Sequence, residues 1–255
     1  MGMAEDEKLI KRFSDLAEQS YQNNTFYFTD FLSPSDASLV YRAVEGNHGD
    51  YPDISVWGGA DGCERVMIRF GNEEEFGYSV PFPIRIIRIE PLIKKFAEEL
   101  SHRDFLGALM NLGIERDIIG DIVVKDKTAY VFVAERIAEY ICEGLDKVRH
   151  TSVKCILPDE LPEEVQPELE LTELIVSSVR MDSIVAKLYH LSRNQSLELF
   201  RKRLILVNGR VYENNSGTPK EGDVIAVRGY GKFIYKRIAY DTKKGKQAIE
   251  VERYI

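Results

Sequence analysis

His102-Arg103-Asp104 is the triplet in this chain that most invites a catalytic reading. A phosphotransfer loop of the type HRDLxxxN needs an Asn five residues after its Asp to hold a metal ion. Here that position is Leu109, and Asn111 comes two residues late. No GxGxxG loop precedes the triplet and no DFG follows it. Asp104 is therefore expected near a helix start and Arg103 in a salt bridge, with RNA contact by His102 and Arg103 as the other reading. Gly58-Gly59-Ala60-Asp61-Gly62 lacks the Gly-Lys-Ser/Thr ending of a phosphate-binding loop. It reads as a tight turn between strands, where glycine supplies positive φ. Arg65 beside it has three candidate partners: Glu64, another carboxylate, or RNA. His48, His102, His150 and His190 form no metal-ligand spacing with one another or with Cys63, Cys142 and Cys155. No metal, cofactor or small-molecule substrate is expected.

The chemistry this chain does offer is phosphate binding. Residues 178–255 hold 16 Lys+Arg against 8 Asp+Glu, a net of +8, while residues 1–177 hold 18 against 34, a net of −16. The overall −8 and pI near 5.2 hide that split. A basic module on an acidic body points to a polyanionic partner for the basic part. Arg193 follows Ser192 at a helix start, where free N–H groups and the helix dipole already favour an anion. Its guanidinium adds a forked donor. The candidate RNA-contact residues are Arg180, Lys187, Arg193, Asn194, Arg201, Lys202, Arg203, Arg210 and Lys232, and in the body Arg65, His102 and Arg103. The cluster Arg201-Lys202-Arg203 also suits a helix C-terminus without any ligand. From Arg228 to Arg237 cations and aromatics interleave. On a strand, Lys232, Ile234 and Lys236 share one face, and Phe233, Tyr235 and Arg237 the other. Phe233 and Tyr235 either stack on unpaired bases or pack the back of the sheet. Lys243 to Lys246 reads as an exposed basic turn.

The elements that must position these groups follow from periodicity. Leu9, Ile10, Phe13, Leu16 and Ala17 fall on one face of a helix over 5–22. Ser33-Pro34 opens a second helix through about Val44. Strands are expected at 53–57 and 63–70, and a loop over 71–83. The middle region reads as a strand at 84–89, a helix at 103–112, paired strands at 121–124 and 129–133, an amphipathic helix over 134–148 and a strand at 151–157. Residues 158–170, with three Pro and six acidic residues, read as a linker, and 171–179 lead into the basic module. There, 182–191 is a helix, Ser192-Arg193-Asn194-Gln195 is a capping box, and the next helix runs to about Arg203. Leu204 to Val207 is a strand, Asn208-Gly209 a hairpin turn, and Val224 to Val227 another strand. The expected class is α+β: two small mixed domains, 1–78 and 79–160, then a two-helix and small-sheet module over 172–255.

At 255 residues, with 44% hydrophobic and 30% charged residues, the chain fits several small globular domains. It has no apolar run of about 18 residues for a membrane span. Met1 to Glu7 lacks the basic-then-apolar pattern of a secretory leader. Three scattered cysteines argue for a reducing cytosol. A cytoplasmic protein with no membrane partner is expected.

Arg180-Met181-Asp182, Leu191 to Ser196, Val207-Asn208-Gly209-Arg210-Val211 and Lys220 to Ile225 occur in an order that resembles the S4 RNA-binding domain. The resemblance covers roughly residues 178–228. Trp57-Gly58-Gly59-Ala60-Asp61-Gly62-Cys63-Glu64-Arg65 resembles a GGxxGxER element. Residues 102–114 with Gly120-Asp121-Ile122 resemble HRDxLGALMxLGIxRxxxGDI. Together these resemble the YlmH family of bacterial S4-domain proteins over essentially the whole chain. The resemblance implies an RNA-binding middle domain, association with ribosomes, a link to rescue of stalled large subunits carrying peptidyl-tRNA, and occurrence near cell-division genes. S4-bearing enzymes fit less well. Pseudouridine synthases carry a large catalytic domain after the module, and here only 229–255 follow it. Tyrosyl-tRNA synthetases need HIGH-like and KMSKS-like motifs, which are not found. A methyltransferase would need a glycine-rich strand–loop–helix. The expectation is a non-enzymatic protein whose partners are rRNA or tRNA and the ribosomal large subunit. The alternatives are an RNA-modifying enzyme with a site in residues 84–157 and a cell-division adaptor.

Overall fold

A computed structural model describes residues 3–45, 54–243 and 245–255. His48, Asp53 of the first expected strand and Lys244 of the basic turn lie outside the described residues. The chain divides into two compact units, Met1–Gln166 and Pro167–Ile255.

In the first unit, α1 (Met3–Asn23) buries Phe13 and Ala17 completely. After β1 (Tyr27–Phe28), Ser33 caps α2 (Pro34–Ala37) by accepting the Asp36 N–H. The expected continuous helix breaks there and resumes as α3 (Val40–Glu45). Ser38 donates its hydroxyl to the Ser35 carbonyl at 2.6 Å, the kind of local side-chain bond that competes with a helix ladder. β2 (Ile54–Trp57) pairs with β3 (Met67–Phe70), and β1 lies on the other side of β3. Within the expected loop, Asn72 accepts the N–H groups of Glu74 and Glu75 and starts a single turn, α4 (Glu73–Phe76).

The second sheet holds β4 (Ile84–Pro91), β5 (Ile119–Lys125), β6 (Thr128–Ala134), β7 (Lys147–Val148) and β8 (Thr151–Ile156), in the order β5-β6-β4-β8-β7. One face packs on α5 (His102–Asn111) and α6 (Ala138–Gly144) through Ile87, Ile89, Val131, Val133, Phe105, Leu109 and Ile141. The other face packs Ile86, Tyr130 and Phe132 against Phe31 and Met67. Every residue of β6 is therefore buried. The helix expected over 134–148 is shorter. A 3-10 turn occupies Glu135–Ile137, and Lys147–Val148 leaves to pair with β8.

The second unit contains β9 (Leu169–Val176), α7 (Met181–Leu188), α8 (Arg193–Arg201), β10 (Ile205–Val207), β11 (Arg210–Val211), β12 (Val224–Val227), β13 (Gly231–Asp241) and β14 (Gln247–Tyr254). Its sheet has the order β11-β10-β12-β13-β14-β9. The end of the expected linker and the expected lead-in are in fact β9, which pairs with β14 along eight residues. Its Glu170 and Glu173 bring acid into the basic unit. Ser192 and Gln195 form the expected capping box. Asn208 and Gly209 both have positive φ, 50° and 79°, as a tight hairpin turn requires. Ile184, Val185 and Leu188 of α7 and Phe200 of α8 pack on Phe233, Tyr235, Ile249 and Val251. Phe233 and Tyr235 are 0% and 3% exposed, so the stacking role considered for them is excluded: they are core. All strand pairings among the described residues are antiparallel, which with segregated helices makes the fold α+β.

Candidate nucleic-acid interface

Asp182 organises the start of α7. Arg180 donates from Nε to one carboxylate oxygen at 3.0 Å and from Nη2 to the other at 2.8 Å. Asn215 donates to the same carboxylate at 3.2 Å, and the buried Ser196 hydroxyl donates to the Asp182 carbonyl at 2.9 Å. Burial opposes the charge on Asp182, but the bonds from Arg180 and Asn215 outweigh it and hold its pKa below the ordinary carboxylate value. Asp182 is thus a buried brace that fixes a half-exposed guanidinium.

A cleft of about 260 Å³ is lined by Ser177, Arg180, Asp182, Ser183, Ala186 and Arg193. A neighbouring cleft of about 540 Å³ shares Ser177, Ser183 and Ala186 and adds Lys187, His190 and Lys246. The fold therefore gathers Arg180, Lys187 and Arg193 on one surface. Asn194 is exposed on the same first turn of α8. The other candidates lie apart. Arg201 pairs with Glu198 at 2.6 Å and Arg203 with Glu213 at 3.5 Å. Lys202 caps the C-terminus of α8. That end is roughly 13 Å from Arg193, at 1.5 Å per residue. Arg210 is exposed on β11, and the Lys232 ammonium sits 5.3 Å from the Tyr254 ring. Sequence reading missed Ser183 and His190 as lining residues. Ser183, Lys187 and His190 fall at i, i+4 and i+7, a polar stripe that helical spacing would have shown.

In the first unit, Arg65 is half-buried and committed to backbone. Nε donates to the Ile119 carbonyl at 2.9 Å, and Nη2 donates to Phe31 at 2.8 Å and Arg116 at 3.2 Å. Asp121 accepts the N–H groups of Glu64 and Arg65. Gly58 has no room for a side chain, since a Cβ would lie 2.6 Å from the Arg65 carbonyl oxygen. At Gly59, φ is +103° and a Cβ would collide with the Phe132 ring. The two sequence motifs are thus two halves of one structural joint.

Asp104 completes a capping box with Ser101, accepting its N–H and its hydroxyl at 2.8 Å each. Its ion-pair partner is Arg149, at 2.6 Å. His102 and Arg103 are exposed, and Arg103 borders a groove of about 510 Å³ with Asn111, Asp146, Lys147 and Arg149. No group of three or more His, Cys, Asp or Glu able to hold a metal occurs among the described residues. Burial pushes the Cys155 thiol up to about 12, which opposes thiolate chemistry.

Residues 79–159 match a family model described as "Putative RNA-binding domain in YlmH". Over 226 residues the chain is 29% identical to the ribosome-associated protein quality control protein P2 of Bacillus subtilis (strain 168), spanning 88% of this chain and 86% of that one. The chain is thus similar to YlmH proteins, through one family model in its middle and one relative over most of its length. A solved structure, the cell division protein ylmH from Streptococcus pneumoniae, aligns at 22% identity with 62% of this chain and 93% of its own, with a TM-score of 0.49.

Two smaller effects test the geometry. The Ser101 N–H, the Ser101 hydroxyl and then Arg149 hold the Asp104 carboxyl below its ordinary value, which suits a helix cap and not a general base near neutral pH. Asp104→Asn is expected to lower the unfolding temperature slightly, by weakening the capping box, and to change neither RNA nor ATP chemically. Thermal melts, mass spectrometry of incubated RNA and an ATP hydrolysis assay check this. Any turnover lost in the variant would contradict it.

Asp182 should make the second unit acid-labile. Its folded pKa is depressed, so its contribution to stability is present above the unfolded value of about 3.9 and is lost as pH falls through the folded value. The urea midpoint of this unit is expected to fall as the pH drops below about 4, and Asp182→Asn should flatten that fall. An unchanged slope in the variant would assign acid lability to other carboxylates.

Proposed function

We propose that this chain is a non-catalytic RNA-binding factor that holds rRNA or ribosome-bound tRNA on the large ribosomal subunit during rescue of stalled subunits. In this reading α7, α8 and the adjoining strands are an S4 module within residues 172–255. Residues 1–78 and 79–160 act as two further domains, the second also touching RNA. The observation that carries it is the Asp182-braced Arg180 sharing a cleft with Arg193, beside Lys187. A guanidinium already oriented by a buried carboxylate loses little freedom on meeting a phosphate. The description of the matching family model and the name of the Bacillus subtilis relative support the same reading. A ribosomal partner in turn implies a cytoplasmic site of action. No helix among the described residues is long and apolar enough to cross a membrane.

The test is sedimentation of the full chain with bacterial ribosomal subunits, followed by crosslinking and sequencing of the attached RNA. Co-migration with large subunits, with crosslinks from residues 177–193 to rRNA or tRNA, is expected. Crosslinks confined to free RNA, or enzymatic change of that RNA, would replace this reading with the RNA-modifying one.

A further inference from the structure

The β4–β8 sheet buries Ile87, Ile89, Val131 and Val133 on one face and Ile86 and Phe132 on the other, where Arg88 and Lys154 stay part-exposed. At one end the exit of β4, the β5–β6 hairpin tip, the β7–β8 turn and the start of α5 come together.

That end displays apolar side chains without covering them. Leu92 is 60% exposed, Ile93 59% and Phe96 76%, and no other large apolar residue among those described is as exposed as Phe96. One exposed apolar residue is ordinary, but three within five residues mark a contact surface. The loop that carries them is fastened on both sides. Lys94 pairs with Asp126 at 2.6 Å, and Lys127 donates to the Ala97 carbonyl at 2.8 Å. On the other side the Leu92 N–H donates to the Ser152 carbonyl at 3.0 Å, and the Glu98 N–H to the Thr151 hydroxyl at 3.2 Å. Exposure here belongs to a held loop.

Charge selects the partner. Residues 92–104, 125–128 and 149–151 carry Lys94, Lys95, Arg103, Lys125, Lys127 and Arg149 against four acidic residues. The first unit as a whole, residues 1–166, carries 18 Lys+Arg against 31 Asp+Glu. A basic protein would be drawn to the rest of that unit and repelled from this end, whereas a polyanion is drawn here. The Lys95 ammonium lies 5.8 Å from the centre of the Phe96 ring, with no carboxylate partner among the described residues. An aromatic face beside a cation is what an unpaired base and its phosphate require.

We propose that this end of the sheet is a second RNA contact, in which an unpaired base stacks on Phe96 and the neighbouring phosphate meets Lys95. It rests on the reading of the chain as an RNA-binding factor and adds a single-stranded site to the structured-RNA surface at Arg180 and Arg193.

The probe is a single-stranded oligoadenylate carrying 2-aminopurine, titrated into the full chain. Phe96→Ala, Phe96→Leu and Phe96→Trp should all fold, because substitutions at so exposed a position scarcely change stability. Alanine and leucine are each expected to weaken binding about tenfold and to abolish the fluorescence quenching, while tryptophan keeps both. Lys95→Gln should lower the salt slope by about one unit. If leucine binds as well as phenylalanine, the surface is a general apolar contact and base stacking is overturned. If Phe96→Ala changes nothing while Arg180→Ala/Arg193→Ala still weakens ribosome binding, this proposal alone fails. If neither variant affects RNA, the underlying functional reading fails with it.

Discussion

Arg65→Ala is expected to lower the unfolding temperature of the first unit by about 6–12 °C. The guanidinium satisfies the carbonyls of Phe31, Arg116 and Ile119. Removing it leaves those acceptors without their donor, and one buried unsatisfied polar group costs about 1–3 kcal/mol. A combined loss near 3 kcal/mol is therefore expected. Lysine should recover little, because a single ammonium cannot reproduce a fork aimed at three oxygens. Burial lowers the Arg65 pKa, while Asp121, Asp36 and Asp117 oppose that shift. Calorimetry of the full chain decides the point. An unfolding temperature within a degree of the parent would mean the joint between the two motifs is held by something else. Below its melting temperature the variant should bind RNA with the parent's salt slope; a drop of one unit would place Arg65 at the RNA instead.

The double variant Arg180→Ala/Arg193→Ala is expected to weaken binding to large-subunit RNA by about two orders of magnitude. Each charge-assisted bond contributes about 1.5 kcal/mol at the low end, and 1.4 kcal/mol is tenfold. The log–log salt slope should fall by about two units, one for each lost phosphate contact. Arg193→Ala alone should give half of this without loss of stability, since the side chain is exposed at the start of α8. By contrast, Arg201→Ala and Arg203→Ala should give less, because the C-terminal end of α8 lies roughly 13 Å from Arg193 and its cleft. Filter binding between about 50 and 200 mM salt separates these outcomes. An unaltered affinity and slope in the double variant would remove the α7–α8 cleft from the RNA surface.

Local rules make much of this molecule legible in its residue order. The apolar stripes of α1 and α7, the Ser192–Gln195 box and the Asn208-Gly209 turn each depend on residues a few positions apart, and each occurs where expected. Where local cues competed, the elements shifted. Ser38 broke the second helix, and the strand partner at Ser152 drew Lys147 out of the fourth.

The sequence by itself determined the charge division, the α+β class, most element positions and the set of cations available for phosphate. Only the tertiary structure decided which of them are available to a ligand. Alternation placed Phe233 and Tyr235 on one side of a strand, but not which side α7 and α8 would cover. β9 pairs with β14 from Val176 opposite Gln247, a contact across some seventy residues that no local pattern specifies. Arg65 and Arg180 are the same residue type in equally suggestive motifs. One is enclosed by three carbonyls from two segments distant in the chain, and the other is braced at a cleft by a buried Asp. A guanidinium binds whatever acceptors surround it, and long-range packing chooses those acceptors.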